Sequence, residues 1–221
     1  MLKCVVFDMD GTLLDTERLA VQFWVDMARE YGVELPMDFI VSNCGRPRAD
    51  IVRRYQERYP ALPVEEAMAH RDQWWEAQVA KGLVHVKPGA VEVLKYLKEK
   101  KITAVVATST IRERAERELT QLGLFPYLSD ITAGDMLPQG RGKPNPDIFL
   151  LAMERSGFSP EECMVVEDSV SGCEGGIASG AKTVMIPDQL QPGEDLKRRL
   201  YLCLDGLSDL IPVVDKLAEG M

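Results

Sequence analysis

The stretch VVFDMDGTLLDTE, residues 5–17, decides how this chain is read. It opens with the apolar run Val5-Val6-Phe7, places carboxylates at Asp8 and Asp10, and turns at Gly11-Thr12. A short apolar run bounded by turn residues has the pattern of a strand buried on both faces of a parallel sheet. Asp8 then stands where the strand ends, and Gly11 allows the chain to turn sharply away. Ligands of open parallel α/β sheets sit just outside the carboxyl ends of the strands, so this strand would deliver two acids to a site. A lone D-x-D is equally an ordinary turn, and the rest of the chain has to decide between the two.

Beyond Val86 the pattern alternates. Strands are predicted at residues 102–107, 130–133, 164–166 and 183–186. Helices are predicted after Pro88-Gly89, over 111–122 and 146–156, around 175–179, and over 207–217. Alternating strands and helices imply an α/β fold, a doubly wound parallel-sheet, Rossmann-like core. Thr110 and Glu113 have capping-box spacing, which would set helix N–H groups beside the end of the second strand, a place suited to an anion. Residues 16–84 carry no strand signal. Leu19, Phe23 and Met27 recur every four residues over 16–31, a short helix follows Pro36, and two more are predicted over 50–59 and 64–81. The expected division is an all-helical cap domain at 16–84 inserted into a core of 1–15 and 85–221. Trp74 and Trp75 are expected to pack within the cap or between domains. Neighbours on a helix point in different directions, so one of them would face the interdomain cleft.

The 221 residues suggest one or two domains at roughly 150 residues each, and 46% apolar with 28% charged residues is ordinary for a globular chain. No apolar run approaches the roughly 20 residues that span a bilayer, and MLKCVVFDMDG lacks the features of a signal peptide. A cytoplasmic protein with no membrane association is therefore expected. A net charge of −9 argues against nucleic acid as a partner. A phosphorylated small molecule remains compatible, because a few local cations and a metal can hold one phosphate. The five cysteines are odd in number and widely spaced, and are read as reduced thiols. Two histidines leave little for a His-rich metal site or a Ser-His-Asp triad.

Four polar groups follow predicted elements in order: Asp8/Asp10, Thr108-Ser109, the Gly142-Lys143-Pro144 segment, and Glu167-Asp168. Each alone is a common turn, cap or solvated lysine. Together they would converge on one sheet edge. In that order they resemble the four motifs of the haloacid dehalogenase superfamily of Mg2+-dependent aspartyl phosphotransferases, over nearly the whole chain. The position of the helical insert is similar to the cap of its β-phosphoglucomutase-like branch. The resemblance implies Asp8 as nucleophile and Asp10 as general acid/base. It implies Mg2+ as cofactor, held by Asp8, the backbone carbonyl of Asp10, Asp168 and, directly or through water, Glu167. It implies phosphate binding by Thr108, the Ser109 N–H and Lys143. The segment 44–50 looks like a substrate-specificity loop, which makes Arg46 and Arg48 candidates for contacts to the distal end of the substrate.

The dehalogenase branch typically lacks the second aspartate, and Asp10 is present. β-Phosphoglucomutases usually carry a cap histidine where this chain has Ala20, and a cap lysine whose nearest match is His70, with Arg71 beside it. A mutase must keep its phospho-aspartate until a second hydroxyl arrives, whereas a phosphatase only admits water. The expected activity is therefore a phosphatase of a small phosphorylated metabolite such as a sugar phosphate. The alternatives are a β-phosphoglucomutase and a non-catalytic binding member of the fold. A monomer is expected, with cap connections near 14–16 and 83–87 acting as hinges.

Overall fold

The structure is a computed structural model that describes residues 1–46 and 48–218. Pro47, within the expected specificity loop, and the last three residues of the expected core lie outside the described residues. Six parallel strands form one sheet: β1 (Cys4–Phe7), β2 (Thr103–Thr108), β3 (Asp130–Ala133), β4 (Cys163–Glu167), β5 (Lys182–Met185) and β6 (Leu202–Cys203), in the order β3-β2-β1-β4-β5-β6. β1 is central, with Phe7 in register with Val106 of β2 and Val166 of β4. The order reverses beside β1, so the crevice for a ligand opens at the carboxyl ends of β1, β2 and β4.

Alternation along the strands fills two apolar layers. Val5, Phe7, Val106 and Val166 face one side, under α5 (Ala90–Glu99), α6 (Arg112–Gln121) and α10 (Leu210–Ala218). Cys4, Val6, Val105 and Val165 face the other, against Ile148, Phe149, Ala152 and Met153 of α7 (Asp147–Ser156). Helix α8 (Val170–Ala178) follows β4, and Cys173 on it packs with Met185, Leu196 and Leu200 beside α9 (Glu194–Arg199). The sequence pattern did not call α9 or β6. The helix has one buried apolar residue, Leu196, and the strand is a two-residue exposed edge, too short for either period to register.

Between β1 and α5 lie α1 (Glu17–Glu30), α2 (Met37–Val41), α3 (Arg48–Arg58) and α4 (Val64–Ala80). Their inward faces build a separate apolar cluster around Phe23, Trp24, Met27, Tyr55 and Met68. Trp24 stacks on Tyr55 with ring centroids 4.0 Å apart. Trp74 packs on Phe23 in this cluster, also touches the apolar layer of the sheet, and donates to Asp26 Oδ2 at 3.2 Å. Trp75 turns the other way and joins the apolar layer of the sheet. Its Nε1 donates to Glu118 Oε1 on α6 at 2.7 Å, and the Arg114 guanidinium lies 4.2 Å from its ring centroid. Arg114 Nε donates to the same Glu118 oxygen at 2.7 Å. Arg117 and Glu76 pair alongside. Buried Glu118 thus joins the helical insert to the sheet layer.

The expected Thr110–Glu113 capping box does not form. Ile111 is the extended residue before α6, so the helix starts too late for Thr110 to cap it. Asp135 Oδ1 instead accepts from the Arg112 N–H at 2.9 Å.

Replacing Glu118 by Ala would leave the Trp75 N–H and the Arg114 charge without their shared acceptor at a buried seam. We expect a loss of about 2 kcal/mol and a fall in Tm of about 4–8 °C. Thermal and urea denaturation check this. An unchanged midpoint would mean that the seam contributes nothing to the fold.

Candidate active site

At the carboxyl edge of the sheet opens a cleft of about 830 Å³, roofed by α1 and α4 and floored by the ends of β1, β2 and β4. Asp8 leaves β1 with its N–H bonded to Val166 O at 2.9 Å. Gly11 takes φ +86°, and a side chain there would collide with the Asp168 carboxylate. This glycine is therefore required both for the turn and for the close approach of the first loop to the β4 end. Thr12 Oγ1 donates to Asp168 Oδ1 at 2.9 Å and fixes that carboxylate. Lys143 bridges Asp8 and Glu167, its Nζ 2.6 Å from Glu167 Oε1. The other Glu167 oxygen accepts from Asp168 N–H, Ser169 N–H and Ser169 Oγ at 2.8–2.9 Å.

Asp8, Glu167 and Asp168 are buried, with one oxygen of each within 4.8 Å of the others, so they form an acidic cluster that could hold a metal ion. The charge state supports this. Burial pushes Asp8 up to about 8, aided by Glu167 and Asp10 and opposed by Lys143. Burial, then Glu167 and Asp8, likewise raises Asp168. Ionising all three carboxyls beside one lysine would leave excess negative charge, which a hard divalent cation with oxygen ligands would neutralise. The Asp8 and Glu167 carboxylates hold Lys143 charged, against the desolvation that acts on it.

The Asp10 side chain stands outside this cluster. Its Oδ2 accepts from Thr110 Oγ1 at 2.7 Å and, more weakly, from Thr108 Oγ1 at 3.5 Å. Thr108 Oγ1 in turn accepts from the Thr110 N–H at 3.0 Å. Thr110, singled out from the sequence as a helix cap, meets the second aspartate instead. Thr108 is buried and Ser109 is exposed, and both line the cleft.

The structure sorts the candidates on the helical side. Arg46 and Arg48 line the cleft mouth and are exposed; Arg46 Nε donates to Ser42 O at 2.8 Å and Arg48 Nη2 to Met68 O at 3.4 Å. His70 is exposed and off the cleft, whereas its neighbour Arg71 lines it. Ala20, which stands where β-phosphoglucomutases usually carry a histidine, lines the cleft. Among the lining residues not assigned to the site from the sequence are Glu17, Arg114 and Arg117. Burial, with Asp10 and Asp188 adding, pushes Glu17 up to about 7, against a hydrogen bond from Cys44 and the charge of Arg71. Glu17 closes the opening string, and its place could have been suspected. Arg114 and Arg117 could not, because their helix reads as an ordinary solvated face.

Residues 2–180 match the family described as haloacid dehalogenase-like hydrolase. The chain belongs to the haloacid dehalogenase-like hydrolase family. It is 32% identical over 183 residues to a phosphorylated carbohydrates phosphatase of Thermotoga maritima, covering 83% of this chain and 84% of that protein. It is 32% identical over 181 residues to the fructose-1-phosphate phosphatase YqaB of Escherichia coli, covering 81% and 94%. A Thermotoga maritima crystal structure, provisionally described as a beta-phosphoglucomutase, superposes with a TM-score of 0.77 at 29% identity, over 98% of this chain and all of that one. In this member of the family the acids gather at the carboxyl edge of the parallel sheet.

The raised carboxyl groups give the site a signed pH dependence. A carboxyl whose folded pKa exceeds its ordinary value adds stability while protonated and loses it as pH rises through the folded value. For Asp8 this window runs from 3.8 to about 8. Without metal, the cluster therefore weakens the fold across that window as pH rises. A divalent cation competes with those protons, so the rise in Tm on adding it should be several-fold larger at about pH 8.5 than at about pH 6. Scanning calorimetry at both pH values checks this, and equal shifts would show that the cation binds elsewhere.

Proposed function

We propose that this chain is a Mg2+-dependent phosphatase of a small phosphorylated metabolite, a sugar phosphate being the favoured class. One observation carries the reading. Asp8 lies within an acidic, lysine-bridged cluster, while the Asp10 carboxylate is held 2.7 Å from Thr110 and outside that cluster. Two acids two residues apart thus occupy different environments, as a nucleophile and an acid/base require.

Phosphoryl transfer needs an in-line nucleophile, an acid for the leaving oxygen and positive charge around the equatorial oxygens. In this reading Asp8 attacks phosphorus and forms an aspartyl-phosphate, and Asp10 gives its proton to the departing ester oxygen. Asp10 then removes a proton from the water that hydrolyses the aspartyl-phosphate. Thr108 and the Ser109 N–H bond the phosphate oxygens, and Lys143 offsets the charge of Asp8 and phosphate. Mg2+ would be held by Asp8, Asp168 and the Asp10 carbonyl, and when bound it supplies Lewis-acid neutralisation of the phosphate. Glu167, with both oxygens already hydrogen-bonded, would serve it through water while aligning Lys143.

Residues 16–84 act in this reading as a cap over a core formed by 1–15 and the chain from 85 onward, closing about hinges near 14–16 and 83–87. The named relatives act on phosphorylated carbohydrates and fructose 1-phosphate, which supports the substrate class. Ala20 and the outward-facing His70 favour water over a second sugar hydroxyl as acceptor. A monomer in the cytoplasm is part of this reading, and no helix among the described residues is long and apolar enough to cross a membrane.

Phosphorus NMR tests the reading. The protein with Mg2+ is mixed with a panel of sugar phosphates, and separately with β-glucose 1-phosphate and a trace of the 1,6-bisphosphate. Inorganic phosphate as product is expected, and glucose 6-phosphate without net phosphate release would identify a mutase instead. Asp10→Asn should lower turnover by a factor on the order of 100 or more while Mg2+ binding, read by calorimetry, persists. Full activity of that variant would remove Asp10 from the acid/base role.

A further inference from the structure

Two arginines on adjoining helices line the cleft, Arg71 on α4 and Arg114 on α6. No carboxylate lies within ion-pairing distance of Arg71 among the described residues, although it is half-buried. Burial and then the charge of Arg114 hold Arg71 below its ordinary value, while Asp10 and Glu17 pull the other way. Arg114 is fixed differently. Its Nε is spent on buried Glu118, its plane lies on Trp75, and its side chain is 17% exposed. Its two Nη groups make no hydrogen bond to the described residues. Arg117 beside it is paired with Glu76, and Arg48 leans on Met68 O. The cleft therefore holds, besides Lys143, two cations with donors to spare, Arg114 fixed by two partners and Arg71 without a hydrogen bond to the described residues.

Like charges confined together are unfavourable, and a fork of free guanidinium N–H groups suits phosphate or carboxylate. We infer that Arg71 and Arg114 form a second anion site, and that the preferred substrate carries a phosphate or carboxylate at the end remote from the phosphoryl group removed. This rests on the phosphatase reading and narrows its substrate class. Arg114 determines specificity and is held ready by two partners, Glu118 from its own helix and Trp75 from the insert. The second site is complete only when α4 lies against α6, so recognition of the remote anion is coupled to seating of the helical insert.

The test compares matched pairs that differ only at the remote end. Fructose 1-phosphate is set against fructose 1,6-bisphosphate for a remote phosphate, and glucose 6-phosphate against 6-phosphogluconate for a remote carboxylate. Phosphate release is followed with the whole protein and Mg2+. The anionic member of at least one pair should have a kcat/KM about tenfold or more higher, mainly through KM. Which pair shows it distinguishes phosphate from carboxylate. Arg114→Gln should shrink that ratio about tenfold. Arg71→Gln, which removes no protein hydrogen bond among the described residues, should do the same without risk to folding. If both variants leave the ratio unchanged, the arginines are merely structural and the inference fails. Release from both members without preference overturns this inference alone, whereas no release from any substrate overturns the phosphatase reading and this inference with it.

Discussion

The structure turns on the repulsion among carboxylates gathered at one sheet edge. Asp8, Glu167 and Asp168 come from two neighbouring strand ends and are buried together, which no fold would do without compensation. Lys143 supplies part of it by bridging Asp8 and Glu167. The backbone supplies more, because Glu167 accepts two main-chain N–H groups and Thr12 holds Asp168. Gly11 and Gly172 leave room for this closeness, since a side chain at either would strike an acid of the cluster. The charge that Lys143 leaves unbalanced is of the kind a cation could neutralise.

A second constraint lies at the seam between α4 and α6. One oxygen of buried Glu118 serves both the Trp75 indole N–H and Arg114. This bond sets how the helical insert meets the sheet layer and at the same time aims a guanidinium into the cleft. Packing and recognition are therefore joined here. Elsewhere they are kept apart, with the insert keeping its own aromatic cluster and the sheet its two aliphatic layers.

Much of the site was legible in the sequence because parallel strands put their final residues on one edge. Once residues 5–7, 102–107 and 164–166 read as buried strands, Asp8, Thr108 and Glu167 had to share an edge whatever the strand order. The sequence was less informative about the helical side. Thr110 matched a cap by spacing, but a shift in where α6 begins turned it toward Asp10. His70 and Arg71 were adjacent candidates, and only the rotation of α4 decides that Arg71 enters the cleft. Arg114 sits in a charged run, RERAERE, which has the look of a solvated face until Trp75 and Glu118 bury part of it.

The sequence by itself determined the α/β class, the helical insert and the acids, threonine and lysine of the sheet edge. Strand burial and strand endings are local properties, written in short apolar runs and the polar residues that stop them. Tertiary structure alone decided the strand order β3-β2-β1-β4-β5-β6, the direction taken by each tryptophan, and which arginines face the cleft. Those outcomes depend on how one surface rotates and docks on another. That balance is set by contacts such as Trp75 to Glu118, between residues 43 positions apart, which no local pattern encodes.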